Sequence, residues 1–320
     1  MSRPPLTWVI GSGGLLGSNV EQAMARRGPV WRIPEPIRWT TSETGGQLAR
    51  AAQMFATAAQ GRPWQVAWCA GSGVMATTVD AFAEEADVFG VFLDALSETM
   101  PARSDGAVFF ASSAGGLYAG SLGPPFTEDS VVRPTSPYGD AKLREEQIVS
   151  EWADVHGWPV VIGRIANLYG AGQNLAKPQG LISQICRAHL LRQPISIYVP
   201  LDTVRDYLYA RDCGDMVAAV LDRGRRDGHA HGSSAHVKIL ASQRGVTIGA
   251  VLAELRRVLK QRVKVIHGLS ATAKFQARDL RLRSVVWPDL DRRALTPLPA
   301  GIRATLQHLT WQVQGGSLRA

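Results

Sequence analysis

The first half of the chain alternates short strand-like hydrophobic runs with longer helical stretches. Predicted strands lie at Leu6–Ile10, Val30–Ile33, Ile37–Thr40, Gln65–Cys69, Ala107–Ala111 and Val160–Arg164. Predicted helices lie at Leu15–Arg27, Gln47–Ala59 and Ala83–Glu98, and from Pro137 past Ile148. Strands that alternate with helices in this way favour a parallel sheet covered by helices.

Beyond Gly170 the pattern is looser. Helices are predicted at Leu181–Leu191, Cys213–Leu221 and Ile248–Leu259, and strands at Ile195–Tyr198, Val237–Leu240 and Val263–Ile266. We therefore predict an α/β fold, a doubly wound parallel sheet with a smaller C-terminal lobe. Residues 1–170 form the first domain, to which residues 201–222 return. Residues 171–200 and 223–320 form the lobe, which is predicted to bind substrate.

Composition and charge narrow the class of protein. The chain is 45% hydrophobic and 19% charged, as in ordinary globular proteins, and it lacks an apolar run of about 18 residues that would span a membrane. The stretch Leu6–Val20 is interrupted by four glycines and two serines, so it is not interpreted as a secretory leader. The net charge of +8 suits an anionic, phosphate-bearing partner, or simply a basic surface. Scattered arginines and the absence of a known binding module argue against nucleic-acid binding.

The cysteines and histidines give no indication of a metal site. Cys69, Cys186 and Cys213 are far apart and lack metal-ligand spacing, which fits reduced thiols in a cytoplasmic protein. His229, His231 and His236 lie in a Gly/Ser-rich segment without an accompanying carboxylate or cysteine cluster. We therefore interpret that segment as a solvated loop and predict no metal site.

A glycine-rich turn follows the first predicted strand and opens a helix. Glycines permit a tight turn and let backbone N–H groups approach a pyrophosphate at the positive end of the helix dipole. In this strand–turn–helix context the turn predicts a dinucleotide cofactor, with a plain connecting turn as the alternative. The candidate cofactor-binding residues are Gly11, Gly13, Gly14, Leu15, Leu16 and Gly17.

The end of the second predicted strand bears on the choice of cofactor. An acidic residue about 20 positions after the glycine turn would bond the adenosine ribose of NAD, and Glu35 is the candidate. Its alternative is an exposed loop carboxylate between two prolines. Arg32 and Arg38 flank Glu35 and are instead candidates to hold the 2′-phosphate of NADP. The cofactor is therefore NAD or NADP.

Tyr138 and Lys142 are spaced to lie on one face of a helix. A free tyrosine has a pKa of about 10, too high for a base at neutral pH, but a neighbouring cation stabilises the phenolate. This pairing makes Tyr138 a candidate proton acceptor or donor. Lys142 could also bond the nicotinamide ribose. A surface pair is the alternative.

A serine pair ends the predicted strand at Ala107–Ala111. In open parallel sheets, ligands bind at the carboxyl ends of the strands, where a serine hydroxyl can bond a substrate oxygen. Ser112 and Ser113 are both candidates, although strand alignment favours Ser113. A strand-terminating turn is the alternative. Together with the glycine turn and the tyrosine–lysine pair, these residues predict catalysis.

Four stretches carry a family resemblance: Phe109–Tyr118 (FFASSAGGLY), Pro134–Leu143 (PTSPYGDAKL), Arg164–Gly172 (RIANLYGAG) and Thr203–Asp212 (TVRDYLYARD). With them the chain resembles, over most of its length, the NAD-dependent epimerase/dehydratase family of the extended short-chain dehydrogenase/reductase superfamily. The resemblance implies a Rossmann-type fold, a nucleotide-sugar substrate and a homodimer. The dimer would be a four-helix bundle of the helices at Ala83–Glu98 and Pro137–Ser150 and their copies.

The resemblance also implies residue roles. Ser113 matches the catalytic serine, Tyr138 the acid/base and Lys142 its partner. Asn167 and Arg205 match residues that contact the substrate's diphosphate, with a turn-capping asparagine and a surface arginine paired with Asp206 as alternatives. The residues that match the cofactor site beyond the glycine turn are Ala70, Gly71 and Ile165, with Tyr138 and Lys142.

Departures from the family pattern limit the reaction. Asp87 stands where the family usually has an asparagine, and Ala114 and Gly115 replace the acidic pair of sugar dehydratases. Without that general acid a 4,6-dehydratase is not expected. We predict hydride transfer at a hydroxyl or keto group of a nucleotide sugar, foremost by a sugar epimerase. An NADPH-dependent ketoreductase of a nucleotide sugar or other small ketone is the first alternative, and a non-catalytic NAD(P)-binding sensor the second.

Overall fold

The computed structural model describes residues 3–39, 41–71, 78–102, 104–176, 179–227, 235–261, 264–268 and 277–315. Its strands are β1 (Leu6–Ile10), β2 (Val30–Trp31), β3 (Trp64–Trp68), β4 (Gly106–Ser113), β5 (Val160–Ile165), β6 (Asn167–Tyr169), β7 (Ile195–Ile197), β8 (Val204–Tyr209), β9 (Ala235–Leu240), β10 (Gly245–Thr247) and β11 (Val265–His267). Its α-helices are α1 (Leu15–Ala25), α2 (Thr44–Ala59), α3 (Val79–Thr99), α4 (Ala114–Leu117), α5 (Pro137–His156), α6 (Leu181–Leu190), α7 (Ala210–Asp227), α8 (Ile248–Leu259) and α9 (Leu298–Gln314).

Six strands form one parallel sheet in the order β2-β1-β3-β4-β5-β9. β10, β8 and β6 form a three-stranded sheet, and β11 pairs with β7. In the large sheet Ser113, the last residue of β4, is in register with Ile165, the last residue of β5. Parallel pairing therefore brings the carboxyl ends of both strands to one edge, where ligands of such sheets bind.

The large sheet is buried on both faces. Successive side chains of a strand point to opposite faces, so Trp8 belongs to a buried cluster with residues of α2, α3 and α5, while Val9 belongs to a second cluster with residues of α1 and α7. All residues of β1, β3 and β5 are buried, which explains why these strands are mostly hydrophobic, with Thr7, Gln65 and Arg164 as their buried polar residues. The doubly wound α/β fold with a parallel sheet is thus confirmed.

A third cluster of buried side chains lies outside the large sheet, between α6, α8 and α9. Its members include Ile185 of α6, Val251 and Leu255 of α8, and Ile302 of α9. This cluster occupies the C-terminal part of the chain, where the smaller lobe is predicted. The exact division of the chain into domains stays a prediction.

The short strand predicted at Ile37–Thr40 is wrong for residues 37–39, which form no strand; Thr40 lies outside the described residues. The backbone of Arg38 is used by side chains instead. Its N–H donates to Gln47 Oε1 at 2.8 Å, and its carbonyl accepts from Thr44 Oγ1 at 2.7 Å. These bonds tie residue 38 to the beginning of α2, so its backbone groups do not pair with a strand.

Several elements of the second half differ from their predictions. β9 is the sixth strand of the large sheet, although residues 223–320 were assigned to the lobe. β8 lies in the three-stranded sheet rather than the large one, whereas the following α7 packs against the large sheet. The elements that were not predicted are β6, β8, β10, α4 and α9. Of the helices among the described residues, none is long and apolar enough to cross a membrane.

Candidate active site

The glycine turn between β1 and α1 is tightly packed on one side and open on the other. Gly11 has a φ of +86°, and a Cβ there would lie 2.6 Å from the backbone nitrogen of Ala70. A Cβ on Gly17 would lie 2.1 Å from the carbonyl oxygen of Gly11, whereas one on Gly13 would meet nothing within 4 Å. Gly14, the N-cap of α1, supplies no capping side chain. Backbone N–H groups at this helix end therefore suit an anion, as a dinucleotide pyrophosphate requires.

Two alanine substitutions should separate the packing of this turn from its binding role. We expect Gly17→Ala to lower both the free energy of unfolding and nucleotide affinity, because its Cβ overlaps the Gly11 carbonyl oxygen. Gly13→Ala is the matched control: it should leave the unfolding free energy within about 1 kcal/mol of the parent chain. Denaturant unfolding and titration with NAD and NADP measure the two quantities. Equal unfolding free energies for both variants would contradict this account of the turn.

Gly71, after β3, lies beside groups from two helices. A Cβ on Gly71 would lie 3.0 Å from Glu85 Oε1 of α3 and 3.6 Å from Lys142 Nζ of α5. Cys69 N donates to the Ile10 carbonyl at 2.8 Å, which fixes this segment against the end of β1. The glycine turn, Ala70 and Gly71 therefore lie at the same sheet edge as Lys142.

The residue directly after β2 is basic rather than acidic. Arg32 directly follows Trp31, and its guanidinium donates to both carboxylate oxygens of Glu21 at 3.0 and 3.1 Å. Glu35 is exposed and lies four residues beyond the end of the strand. Arg38 is exposed too, with Nη1 3.8 Å from Glu43. NAD and NADP therefore both remain candidates for this chain.

Ser113, Tyr138 and Asn167 surround the turn that follows β4. Ser113 Oγ accepts a hydrogen bond from Gly116 N at 3.1 Å. A Cβ on Gly116 would lie 3.1 Å from Tyr138 Cε1, so the tyrosine ring packs against this turn. A Cβ on Gly115 would lie 4.0 Å from Ser113 Oγ and 3.9 Å from Asn167 Oδ1. Three of the predicted site residues thus lie around one short turn.

Lys142 lies one helical turn beyond Tyr138, near the beginning of α5. Ser136 caps this helix, since its Oγ accepts from Gly139 N at 3.2 Å. Lys142 is 7% exposed, and its Nζ donates to Glu145 Oε2 at 2.7 Å. Burial alone lowers the pKa of Lys142, but the charges of Glu145, Tyr138 and Glu85 outweigh burial and raise it. The side chain is therefore a buried ammonium ion.

Ser112 points to the other side of β4, into a buried network. Its Oγ donates to Glu146 Oε1 at 2.5 Å, and Glu146 Oε2 accepts from Arg164 Nη2 at 2.7 Å. Arg164 Nη1 also donates to the Tyr118 hydroxyl at 2.8 Å. Ser112 is 5% exposed. The two serines thus have different environments, and only Ser113 bonds the turn against which Tyr138 packs.

Asn167 and Arg205 lie in the three-stranded sheet. Asn167 of β6 is in register with Tyr207 of β8, two residues beyond Arg205 on the same strand. Arg205 is 6% exposed rather than at the surface, and burial lowers its pKa. Asp206 is also buried, and it accepts from Ser242 N at 2.8 Å and Arg244 N at 3.0 Å. The alternative of a surface Arg205–Asp206 pair is therefore wrong.

Glu85 and Glu145 were not identified from the sequence. Glu145 lies three residues after Lys142, a spacing that favours contact on a helix, but this signal is common at protein surfaces. Glu85 comes from α3, and only the packing of α3 on α5 brings it near Lys142. Sequence spacing alone gives no indication of that contact.

The described ranges hold no group of three or more His, Cys, Asp or Glu side chains that would bind a metal ion. Of the histidines in the predicted solvated loop, His229 and His231 lie outside these ranges, whereas His236 lies in β9 and not in a loop. Cys69, Cys186 and Cys213 are free thiols, and burial raises the pKa of Cys186 to about 12. A thiol with so high a pKa is a poor nucleophile at neutral pH.

The parallel sheet, its glycine turn and the adjacent serine, tyrosine and lysine are those of a Rossmann-type dinucleotide-binding protein. The sequence profile of the NAD dependent epimerase/dehydratase family matches residues 7–234. The chain belongs to this NAD-dependent family of the extended short-chain dehydrogenase/reductase superfamily, as its motifs predict.

Curated relatives cover the chain in part. A dTDP-glucose 4,6-dehydratase of Haemophilus influenzae is 34% identical over 102 residues, 32% of this chain and 29% of that protein. An uncharacterized UDP-glucose epimerase of Bacillus subtilis is 26% identical over 216 residues, 65% of this chain and 62% of that protein. The chain thus spans less than two thirds of the length of either relative.

A solved structure matches almost the whole chain. The UDP-glucose 4-epimerase of Thermotoga maritima, crystallised with UDP-glucose, superposes with a TM-score of 0.77 at 18% identity. The match covers 96% of this chain and 99% of that one. At this identity the likeness establishes the Rossmann fold.

Proposed function

We propose that the chain is an NAD(P)-dependent enzyme that transfers a hydride at a sugar carbon of a nucleotide sugar, foremost as an epimerase. The observation that carries the proposal is the convergence of Ser113, Tyr138 and Lys142 with the glycine turn at one edge of the large sheet. A binding module would need the glycine turn but not this set of proton-handling side chains.

In the proposed reaction Tyr138 exchanges a proton with the hydroxyl or carbonyl oxygen of the substrate. Ser113 bonds the same oxygen, and Lys142 provides a positive charge one turn along α5. The bound cofactor would supply or accept the hydride at the reacting carbon. It would be held by the glycine turn, Ala70, Gly71 and Ile165, with Glu35 or the flanking arginines on the adenosine side.

A nucleotide-sugar substrate is supported by both the site and the relatives. Asn167 borders the turn that holds Ser113, and Arg205 of β8 is a buried guanidinium, a group whose geometry suits two phosphate oxygens. The relatives named above act on, or were crystallised with, nucleotide-linked glucose by their names. An apolar ketone would not need two such polar groups in its site.

The epimerase is preferred to a dehydratase because Ala114 and Gly115 have no group that could protonate a leaving hydroxyl. A ketoreductase would use the same Ser113, Tyr138 and Lys142 but would exchange its cofactor after one transfer. Arg32, directly after β2, favours this alternative because a guanidinium suits the 2′-phosphate of NADPH.

The test is to denature the purified protein and identify any released nucleotide by mass spectrometry. Retained NAD or NADH supports the epimerase, because its cycle regenerates the cofactor without releasing it. A protein that arrives empty and binds NADPH on titration supports the ketoreductase. A protein that binds none of these nucleotides would contradict the proposal.

The surface of α3 and α5, through which the homodimer is expected to form, is acidic. The exposed acidic residues of α3 are Asp80, Glu84, Asp87, Asp94 and Glu98, and those of α5 are Asp140, Glu151 and Asp154. Arg144 is the one exposed arginine or lysine on these two helices, and it pairs with Asp87 at 3.6 Å. A two-fold contact between this face and its copy would oppose like charges.

We therefore expect self-association through α3 and α5 to strengthen with salt. Raising the salt from about 10 mM to about 1 M shortens the Debye length from about 30 Å to about 3 Å, which screens the repulsion. Sedimentation velocity over this range measures the effect, with an Asp94→Asn, Glu98→Gln double variant expected to associate more readily at low salt. A tight dimer at low salt that the double variant does not strengthen would mean that another face is used.

A further inference from the structure

Arg32 is the first residue after β2, at the sheet edge where the glycine turn lies. Trp31, the last residue of β2, is in register with Trp8, which lies two residues before the end of β1. In dinucleotide-binding folds of this type, an acidic residue near the end of the second strand bonds the adenosine ribose of NAD, whereas an arginine nearby accommodates the 2′-phosphate of NADP. The position of Arg32 alone would therefore favour NADP.

The guanidinium of Arg32 is already held by a carboxylate from α1. Its Nε and Nη2 donate to the two carboxylate oxygens of Glu21 at 3.0 and 3.1 Å. The side chain of Glu21 is 17% exposed and that of Arg32 is 71% exposed. The hydrogen bonds and the charge of Glu21 raise the pKa of Arg32. The Nε–Nη2 edge, which is suited to bond two phosphate oxygens, is thus occupied, and the positive charge beside it is balanced.

The second arginine near the end of β2 has a carboxylate partner too. Arg38 Nη1 lies 3.8 Å from Glu43 Oε2. Glu35, between Arg32 and Arg38 in the sequence, is a further exposed carboxylate of the same segment. A 2′-phosphate carries nearly two negative charges at neutral pH, so it would have to displace a carboxylate from either arginine.

We propose that Glu21 is a specificity residue of the cofactor site, which holds Arg32 against α1 and thereby selects NAD over NADP. The inference rests on the proposed function, since it concerns the cofactor of that same site. To bond Arg32, the 2′-phosphate of NADP would have to break the two-point contact with Glu21, and it would then be repelled by the carboxylate that it displaced. The adenosine ribose of NAD has no charge there, so the Arg32–Glu21 pair can stay intact.

An NAD site bears on the choice between the two proposed reactions. An epimerase returns its cofactor to the starting state in each cycle, whereas the ketoreductase draws on NADPH. Arg32 considered alone favours the ketoreductase, but its contact with Glu21 removes that argument and favours the epimerase. Glu21 lies on another element, eleven residues before Arg32, so only the fold brings the two side chains together.

The test is a calorimetric titration of the purified protein with NAD and with NADP, after any retained nucleotide has been removed. We expect the parent chain to bind NAD more tightly than NADP. Glu21→Ala should lower the dissociation constant of NADP by about 10-fold and leave that of NAD within about twofold, the order of effect that one surface charge has on a nearby dianion in water. Alanine is a good helix former, so α1 should be retained.

A Glu21→Ala, Arg32→Gln double variant should lose the gain in NADP affinity, because the released guanidinium is then absent. Glu254→Ala is the matched control. Glu254 pairs with Arg257 on α8 at 3.0 Å, with side chains 27% and 77% exposed, much as Glu21 pairs with Arg32. Loss of this distant carboxylate should change neither dissociation constant.

Four results would overturn the inference about Glu21. They are a parent chain that binds NADP as tightly as NAD, an unchanged NADP affinity in Glu21→Ala, a gain that survives in the double variant, and an equal gain in Glu254→Ala. A parent chain that binds neither nucleotide would instead contradict the proposed function on which the inference rests. The two failures therefore have different readouts, and neither depends on turnover.

Discussion

Replacing Tyr138 with phenylalanine should lower kcat by about 100-fold to 10,000-fold and leave nucleotide affinity nearly unchanged. This range is what a positioned acid or base contributes to a reaction rate. The phenylalanine ring keeps the packing of Tyr138 against Gly116 and Phe82, whose ring centre lies 6.1 Å away. The variant therefore lacks the proton donor but retains the shape of the turn. Turnover of a nucleotide sugar and titration with the nucleotide identified by mass spectrometry measure the two effects.

Tyr198→Phe is the control for this result. Tyr198 is 47% exposed, so loss of its hydroxyl should alter neither turnover nor binding. If Tyr138→Phe kept the turnover of the parent chain, proton transfer would not pass through this residue. A variant that bound nucleotide normally in a protein with no measurable turnover at all would instead favour the non-catalytic sensor.

Glu146→Ala should lower the free energy of unfolding by about 3–5 kcal/mol, the usual cost of removing one partner of a buried ion pair. Glu146 is 5% exposed and Arg164 is 7% exposed, so the arginine would be left charged in the interior. Its guanidinium donates to Glu146 through Nε at 3.1 Å and Nη2 at 2.7 Å. Ser112 would lose its hydrogen-bond acceptor as well. Denaturant unfolding measures the loss.

Two further variants separate the ion pair from general damage to α5. Glu151→Ala removes an exposed carboxylate from the same helix and should change the unfolding free energy by less than about 0.5 kcal/mol. A Glu146→Leu, Arg164→Leu double variant should recover much of the loss, because no unpaired charge remains. If the double variant were as unstable as Glu146→Ala, the cost would come from lost packing rather than from the buried charge.

Most strands of the large sheet were predictable because burial on both faces makes them mostly hydrophobic, with at most one or two polar residues each. β1 and α8 have the predicted bounds, Leu6–Ile10 and Ile248–Leu259. β6 was missed because it has only three residues and begins with Asn167, which leaves no run to detect. β8 was missed because Arg205 and Asp206 interrupt its hydrophobic pattern, although both are buried. Short or polar strands are specified by their partners rather than by their own sequence.

Within the candidate site, the residues that the sequence predicts are those recognised by their spacing along the chain. Tyr138 and Lys142 share a helix face, and the glycine turn follows a strand, so both could be located before the fold was known. Glu85 could not, because its contact with Lys142 depends on how α3 packs against α5. The separate environments of Ser112 and Ser113 depend on which way each side chain of β4 points, and thus on the exact register of the strand.

Because β9 pairs with β5, dividing the chain after residue 170 would expose an edge of the large sheet. β5, which ends the N-terminal half, has β4 on one side and β9 on the other, and all six of its residues are buried. A fragment ending at residue 170 would leave β5 as an uncovered hydrophobic edge, with backbone N–H and C=O groups open to pairing with another molecule. It would also lack α7, which packs along α1. Residues 1–170 thus need β9 and α7, from the later part of the chain, to protect them from aggregation. The two parts of the chain therefore depend on each other for folding.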